Sequence, residues 1–502
     1  MTTILPRLVI AGLAGDSGKT IVSLSLTAAL RRQGLAVSTF KKGPDYIDAA
    51  WLTYISKKPC RNLDTYMVAP EDVYRIFTNS SEKSDISLIE GNRGIFDGKD
   101  VSGTHSTAGL AKLLRAPVVL VIDVTKTTRT VAAIIKGCLE FDSEVKFAGI
   151  IINKIAGQRH KQLIIDSIEK YCNLPVLGAI PKLDVNSSLI PGRHLGLVTP
   201  YEFKQAAGFE DKLNLIAEKY LDIKKIIAIA NNAEPLATAG QEILNSNIEK
   251  KVKIGYFSDS VFTFYYPENL EALTNNGAEL TPISSLEDKE LPEIDALYIG
   301  GGFPETHAEH LVENKSMMES VRKAAVAGMP IYAECGGLIY LSRSLVWKKS
   351  FYPMADVFPL DLVINKKPIG HGYTSLTVDS SNPFYVVGTI IKGHEFHYTG
   401  VSQNQDEAGI GQIRSCFNVE NGAGFGNKRD GLVFNNTLAC YTHIHAAGVK
   451  DWASALVQRA QIYHEKILEN GDTHNYNGEL KNNFGNGCNR CSAIAAAYSL
   501  KA

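Results

Sequence analysis

Two α/β domains in tandem are the fold class that this 502-residue chain predicts, and three observations predict it. Residues 7–181 alternate short β-branched runs with amphipathic stretches. A second alternation of the same kind starts near Lys253, and the length suits two to four domains rather than one. Hydrophobic residues at 45% and charged residues at 21% are the proportions of a chain that buries sizeable cores. A formal net charge of −1, without a long basic run, gives nucleic acid or an anionic membrane nothing to bind, so neither is expected as a partner. The opening MTTILPRLVIAG lacks the basic start and cleavage site of a signal peptide, and no stretch approaches the length of a membrane span. A cytoplasmic protein is expected. The eight cysteines are scattered, with only Cys488 and Cys491 close together, which reads as reduced thiols rather than a disulfide framework.

In order, LVIAGL is the first strand and feeds a helix from Lys19. LAVSTF, ISLIE and PVVLVIDV follow as strands, then TVAAIIKGCLEF as a helix, and FAGIIINKI and LPVLGAIP complete the set. Strands separated by helices of this length build βαβ units, hence a parallel sheet covered on both faces. The helical, polar residues 201–250 read as an extension and linker, ending in NNAEPLATAGQEILNSNIEKK. KIGYF, a helix from Pro267, DALYIGGG, a helix around Met317 to Val326 and PIYAEC open the second domain. Beyond about residue 345 the sequence turns β-rich, and DWASALVQRAQIYHEKIL closes the domain as a helix. The expected division is 1–200, 201–250, 251–468, and a loosely ordered Asn- and Gly-rich tail over 469–502.

GLAGDSGKT ends as a nucleotide-binding P-loop ends, after a strand and before a helix. Gly12, Gly15, Asp16, Ser17 and Gly18 form the candidate cradle. Gly15 and Gly18 let backbone N–H groups turn toward phosphate oxygens, helped by the positive end of the following helix. Lys19 is placed to reach the outer phosphates and Thr20 to hold Mg²⁺, so ATP and Mg²⁺ are the expected cofactors. One glycine is out of register: Leu13 stands where the usual pattern has glycine, and Gly12 lies one residue further out. Carboxylates follow near successive strand ends, Asp45 and Asp48 in KKGPDYIDAAW, Asp64 in RNLD and Glu90 in LIEGNRGIFDG. Ligands of parallel sheets gather beyond the carboxyl ends of strands, so Asp45 and Glu90 join Thr20 as candidate Mg²⁺ ligands. Asp123, Lys126 and Arg129 follow a fourth strand. Asn153 and Lys154 follow a fifth, where an Asn–Lys pair resembles the adenine-reading corner of related nucleotide-binding proteins, with a plain polar turn as the alternative.

PIYAECGGLIYL carries the second site. A buried strand delivers Cys335 onto a sharp turn with two glycines and a helix beyond, a nucleophile elbow whose helix amino terminus can lower the thiol pKa. Backbone N–H groups near Gly336, with others at Gly301 and Gly302, are the candidate oxyanion hole. LACYTHIHAAG offers His443 as the base, with His445, on the same face of a strand, as the other choice.

A glycine seven residues before the lysine resembles the loop of dethiobiotin synthetases, a P-loop branch that phosphorylates carboxylates. The Tyr-x-His setting of His443 resembles the catalytic histidine motif of class I glutamine amidotransferases, although His445 occupies the place of their glutamate and leaves the third triad member missing. GLAGDSGKT, KKGPDYID, RNLD, EGNRGIFDG, IPGRHLGL, FTFYYPENLEAL, GGGFPE, YAECGG and GHEFHY together resemble, in order and over nearly the whole chain, the cobyrinate a,c-diamide synthases. The resemblance implies an N-terminal P-loop NTPase-type synthetase domain and a C-terminal class I glutamine amidotransferase-like α/β domain. It also implies ATP- and Mg²⁺-dependent amidation of the a and c carboxylates of a tetrapyrrole, cobyrinate first, through acyl phosphates and with glutamine as nitrogen donor. Asp48 and Asp64 are then substrate-side groups, and Arg193, His194, His394 and His397 face the tetrapyrrole carboxylates or the domain interface. A homodimer is left open.

Three other readings stand beside it. EGNRG and DVTKTTRT also resemble the branch that amidates sirohydrochlorin, its nickel form or siroheme. Cobyric acid synthase resembles both domains but amidates four other side chains, and KKGPDYID and FTFYYPENLEAL favour the a,c branch. A partitioning-type ATPase switch carries a second lysine early in the loop, where this chain has Leu13 to Asp16, and it leaves the Cys-Gly-Gly elbow without a purpose. The two thiols of CNRC are too few for a closed metal site and read as part of a passive tail.

Overall fold

The structure, a computed structural model, describes residues 2–183, 190, 192–193, 196–203, 208–237, 251–402 and 414–476. Its first domain is built on a seven-stranded parallel sheet. The strands run in the order Arg61–Leu63, Val37–Lys42, Ile86–Glu90, Arg7–Gly12, Val118–Asp123, Phe147–Ile155, Val176–Pro181. Near-continuous apolar runs form these strands because both faces are covered. Val9, Ala11, Leu120 and Ile152 face one core with Val131, Ile135, Ile164 and Ile168 from two helices. Leu8, Ile10, Val119 and Ile151 face the other, against Val22, Leu26 and Leu30 of the helix Lys19–Arg32.

That second core takes in part of the extension expected over residues 201–250. Helices Phe209–Tyr220 and Ile223–Asn231, assigned above to an extension and linker, bury Ala217, Leu221, Ile226 and Ala230 against the first sheet. Their apolar faces need a partner, and the sheet's uncovered flank supplies it. Thr2–Thr3 also pairs with Leu236–Ala237, so the chain returns to its own start before the second domain.

The second domain has a nine-stranded sheet. Five strands are parallel, in the order Ala278–Ile283, Val252–Phe257, Ala296–Ile299, Ile331–Glu334, Thr437–Cys440. Antiparallel strands Arg429–Phe434, Ser415–Asn421, Gly370–Val378 and Ile390–His397 extend it. One face packs on Met317, Val321 and Ala325 of the helix Lys315–Val326. The other packs on Leu273 and on Trp452, Leu456 and Ala460 of the closing helix. That helix runs Trp452–Tyr476, past the expected end at residue 468. His194, the side chain of Arg193 and the CNRC pair lie outside the described residues. Among those described, the six cysteines are free and buried, and no helix is long and apolar enough to cross a membrane.

Candidate active site

Strand Arg7–Gly12 delivers the loop 13–18 to the amino terminus of helix Lys19–Arg32. Gly12 closes the strand, and a Cβ there would lie 2.3 Å from Ser17 Oγ and 3.0 Å from Lys19 Nζ. The displaced glycine thus makes room for the loop's own side chains, whereas Gly15, Asp16 and Gly18 line the cavity above it. Gly18 takes φ 100°, a region where an L side chain is strained. Buried Ser17 donates to the Ala14 carbonyl at 3.2 Å. Lys19 Nζ donates to the carbonyls of Ala14 at 2.8 Å and Arg93 at 2.9 Å. Burial, and then the nearby Lys41 ammonium, hold the Lys19 pKa below its ordinary value. A desolvated ammonium so placed gains most from an incoming polyanion.

Asn153 is tied to the phosphate loop. Its Nδ2 donates to the Ser17 carbonyl at 2.9 Å and its Oδ1 accepts from the Lys154 N–H at 2.9 Å. The amide braces the phosphate loop, and Asn153 and Lys154 both line the cavity above it.

Thr20 Oγ1 donates to Glu90 Oε1 at 2.8 Å. The same oxygen accepts from Lys41 Nζ at 2.9 Å, and that ammonium also reaches Asp48 Oδ2 at 2.6 Å. Lys41 is thereby a buried bridge between two carboxylates. Burial alone would lower its pKa, but Asp48 and Glu90 reverse the sign and hold it well above the ordinary lysine value. Burial raises the Glu90 pKa, and its second oxygen, Oε2, is buried with no hydrogen-bond partner. Asp45 caps the helix Tyr46–Ser56, accepting the Asp48 N–H at 2.9 Å. Burial lifts its pKa to about 6.

Asp64, the other substrate-side candidate, is buried between the domains. It is 1% exposed, accepts the N–H groups of Tyr66 and Met67, and receives the Tyr373 hydroxyl at 2.7 Å. Its Tyr373 contact ties the two domains together, and it is not among the residues that line the cavity described below.

The thiol site forms where strand Ile331–Glu334 meets helix Gly336–Leu341. Cys335 sits between them at φ 47°, ψ −96°, a strained conformation for a residue with a Cβ. A Cβ on Gly336 would lie 2.9 Å from the Gly302 nitrogen, so these two turns are in van der Waals contact. A Cβ on Gly302 would fall 1.8 Å from the Val261 carbonyl, and one on Gly301 would fall 2.4 Å from His443 Cε1. Only glycine lets this turn approach both the nucleophile and the imidazole. The Cys335 sulfur lies 4.0 Å from the Phe396 carbonyl, and burial pushes its pKa up. His443 Nδ1 lies 3.1 Å from Glu334 Oε2, its ring stacks on His394 with centroids 5.2 Å apart, and burial lowers its pKa to about 3. His445 is turned away, with Nε2 3.5 Å from Glu268 Oε2. Of the two histidines, only His443 lines the cavity with Cys335.

Both sites open into one cavity of about 1260 Å³, with Lys19, Thr20, Asp45, Asp48 and Glu90 on one wall and Gly302, Cys335 and His443 on the other. His394 and His397, expected at the substrate or the interface, also line it. The domains are locked around this space. Tyr46 stacks on Phe264 and Tyr266 at 4.8 and 4.4 Å, Tyr266 donates its hydroxyl to the Pro44 carbonyl, and Arg61 pairs with Glu268 and Glu271.

Residues 8–195 match the CobQ/CobB/MinD/ParA nucleotide binding domain, and residues 253–450 match the CobB/CobQ-like glutamine amidotransferase domain. The cobyrinate a,c-diamide synthase of Magnetococcus marinus is 40% identical over 460 residues, covering 90% of this chain and 97% of the relative. That of Archaeoglobus fulgidus is 38% identical over 457 residues, covering 91% and 98%. That of Caldanaerobacter subterraneus is 37% identical over 460 residues, covering 91% and 99%. The chain belongs to the cobyrinate a,c-diamide synthase family.

As a member of that family it is a glutamine-hydrolysing carbon–nitrogen ligase, with a nucleotide-binding P-loop domain followed by a glutamine amidotransferase domain. Sequence reasoning missed two of its site residues. Lys41 was quoted inside KKGPDYID but not singled out, although a lysine among carboxylates at a strand's carboxyl end was a usable signal. Glu334 had none, because the residue before a nucleophile reads as the last apolar step of a buried strand.

Proposed function

We propose that this ligase converts the a and c carboxylates of cobyrinate to amides, using ATP, Mg²⁺ and glutamine, through acyl phosphate intermediates. The single observation that carries the reading is the shared cavity, with a phosphate-binding lysine on one wall and a strained thiol on the other. Substrates named for the relatives supply the macrocycle.

Among the described residues no group of three or more His, Cys, Asp or Glu is arranged to hold a metal by itself. Mg²⁺ bound between nucleotide phosphates and one or two protein oxygens needs no such cage. Thr20 Oγ1 and the unpartnered Glu90 Oε2 fit that requirement, with Asp45 close by on the cavity wall. Bound there, Mg²⁺ supplies positive charge against the phosphates. Lys19 then exchanges its loop carbonyls for phosphate oxygens and steadies the γ-phosphoryl group as it passes to a substrate carboxylate, releasing ADP. Lys42, buried on the same wall, is one of the cations available to a substrate carboxylate.

Cys335 attacks the glutamine amide carbon, His443 takes the thiol proton and returns it to the leaving ammonia, and water then hydrolyses the glutamyl thioester to glutamate. Donors at Gly302 and Gly336 receive the oxyanion. Ammonia crosses the cavity, attacks the acyl phosphate carbon and displaces phosphate. The common space favours capture of ammonia before it meets bulk water and a proton.

Mass spectrometry of the product after incubation with cobyrinate, and in parallel with sirohydrochlorin and its nickel form, tests the assignment. Two amide nitrogens on cobyrinate are expected. Amidation of a sirohydrochlorin alone would move the assignment to that macrocycle, and four nitrogens on a diamide would move it to the cobyric acid type. In Cys335→Ala, glutamine use should vanish while added ammonia still supports amidation.

A further inference from the structure

In the amidotransferases that the thiol site resembles, a glutamate two residues past the histidine orients it. Here His445 holds that place and faces Glu268. We propose that Glu334, the residue immediately before the nucleophile, is the positioning residue for His443 and completes a Cys335–His443–Glu334 relay. The inference rests on reading Cys335 and His443 as the glutamine-hydrolysing pair.

The sheet creates the contact. Strands Ile331–Glu334 and Thr437–Cys440 pair in parallel with Glu334 opposite Cys440, so both end at the same level. His443 follows three residues later and returns over Glu334, with Nδ1 3.1 Å from Oε2. Neither side chain meets solvent: Glu334 is 0% exposed and His443 2%. A carboxyl taken wholly out of water is costly, and Ile331, Tyr332 and Ala333 show that apolar groups serve the packing at this level of the strand. The Tyr298 hydroxyl and the Ile444 N–H face the same carboxyl, and Tyr46 and His394 flank the imidazole.

The relay gives proton flow one direction. With Nδ1–H donated to the Glu334 carboxylate, Nε2 carries the free lone pair, and it lies on the side of the Gly301 turn, where a Cβ would come within 3.2 Å of it. The thiol proton moves from Sγ to Nε2, the resulting imidazolium is neutralised by Glu334, and the proton leaves with ammonia. Glu334 itself neither gains nor loses a proton over the cycle. Burial works against the charged pair, raising the Glu334 pKa and lowering that of His443, while the Tyr298 hydroxyl and the Ile444 N–H favour the carboxylate.

The test uses the full-length protein and compares Glu334→Gln, Glu334→Asp and Cys335→Ala, with glutamine or ammonia as nitrogen source. Glu334→Gln should lower the glutamine-supported kcat on the order of 100-fold, the scale of lost general-base assistance, with KM for glutamine unchanged and the ammonia-supported rate intact. Alkylation of Cys335 by a chloroketone analogue of glutamine should slow in parallel. Glu334→Asp keeps the charge but withdraws it by one methylene, and should lose less than Glu334→Gln. A wild-type kcat with glutamine in Glu334→Gln overturns the proposal, as does an equal loss with both nitrogen sources in both variants, which marks a packing role. If Glu334→Gln alone loses both activities, Glu334→Asp decides, a selective fall with glutamine supporting the relay and an unchanged rate overturning it. Continued glutamine use by Cys335→Ala would instead overturn the thiol assignment, whatever the Glu334 variants do.

Discussion

Lys41 is the residue on which the synthetase wall depends. Its ammonium is 2% exposed and sits between Asp48 and Glu90, so removing it leaves the fully buried Glu90 carboxylate without its partner cation. Breaking a buried pair from one side costs about 3 to 5 kcal/mol, far more than the pair's own net worth. Lys41→Met is therefore expected to lower the urea midpoint by a corresponding amount, and Lys41→Met combined with Glu90→Gln to recover part of it. His443 carries a pH signature. Burial lowers its folded pKa to about 3, while the unfolded chain takes up that proton near pH 6.5. The unfolded state thus binds more protons between those values, and the His443 contribution to stability is complete above about pH 6.5 and is lost as pH falls toward 3. Urea midpoints measured across that window should fall less steeply in His443→Gln than in the wild type. An identical slope would count against the buried neutral imidazole.

Among the elements, the strand-to-helix loop shows how far a local motif can be read. Gly-Lys-Thr after an apolar strand announces a phosphate loop, because the chemistry and the backbone turn lie within a few consecutive residues. The displaced glycine was legible as a departure but not as a reason. The reason is a steric one, since a Cβ at Gly12 would collide with Ser17 and Lys19 across the turn. Gly12→Ala should accordingly weaken ATP binding by roughly tenfold or more through displacement of Lys19, about the cost of one lost charge-assisted hydrogen bond, which nucleotide titration would measure. The thiol elbow was readable for the same reason as the phosphate loop. Asp64 was not, because RNLD looks like another carboxylate at a strand end. Only the seating of Tyr373 from the other domain on its second oxygen reveals that it ties the domains.

The whole molecule joins two reactions through one interface. Arg61, at the edge of the first sheet, contacts Glu268 and Glu271 of the second domain, and Glu268 in turn faces His445 on the loop that carries His443. Arg61→Ala should loosen that corner and let ammonia escape. Amide formed per glutamine hydrolysed is expected to fall clearly below one, with glutamine hydrolysis retained, and an unchanged ratio would show that the corner does not seal the cavity.

The amino-acid order by itself determined the two α/β domains, the phosphate loop, the elbow and the family. Each rests on contiguous residues whose periodicity, turn chemistry or spacing acts locally. Tertiary structure decided what lies opposite what. Helices Phe209–Tyr220 and Ile223–Asn231 joined the first core because its sheet had an open apolar flank. Lys41 became a bridge, and Asn153 a brace, because neighbouring strands end side by side. Glu334 met His443 through a strand pairing 106 residues apart in sequence, Glu334 with Cys440. Sheet order sets such meetings, and sheet order follows from how whole faces bury apolar surface, a property that no short stretch of sequence contains.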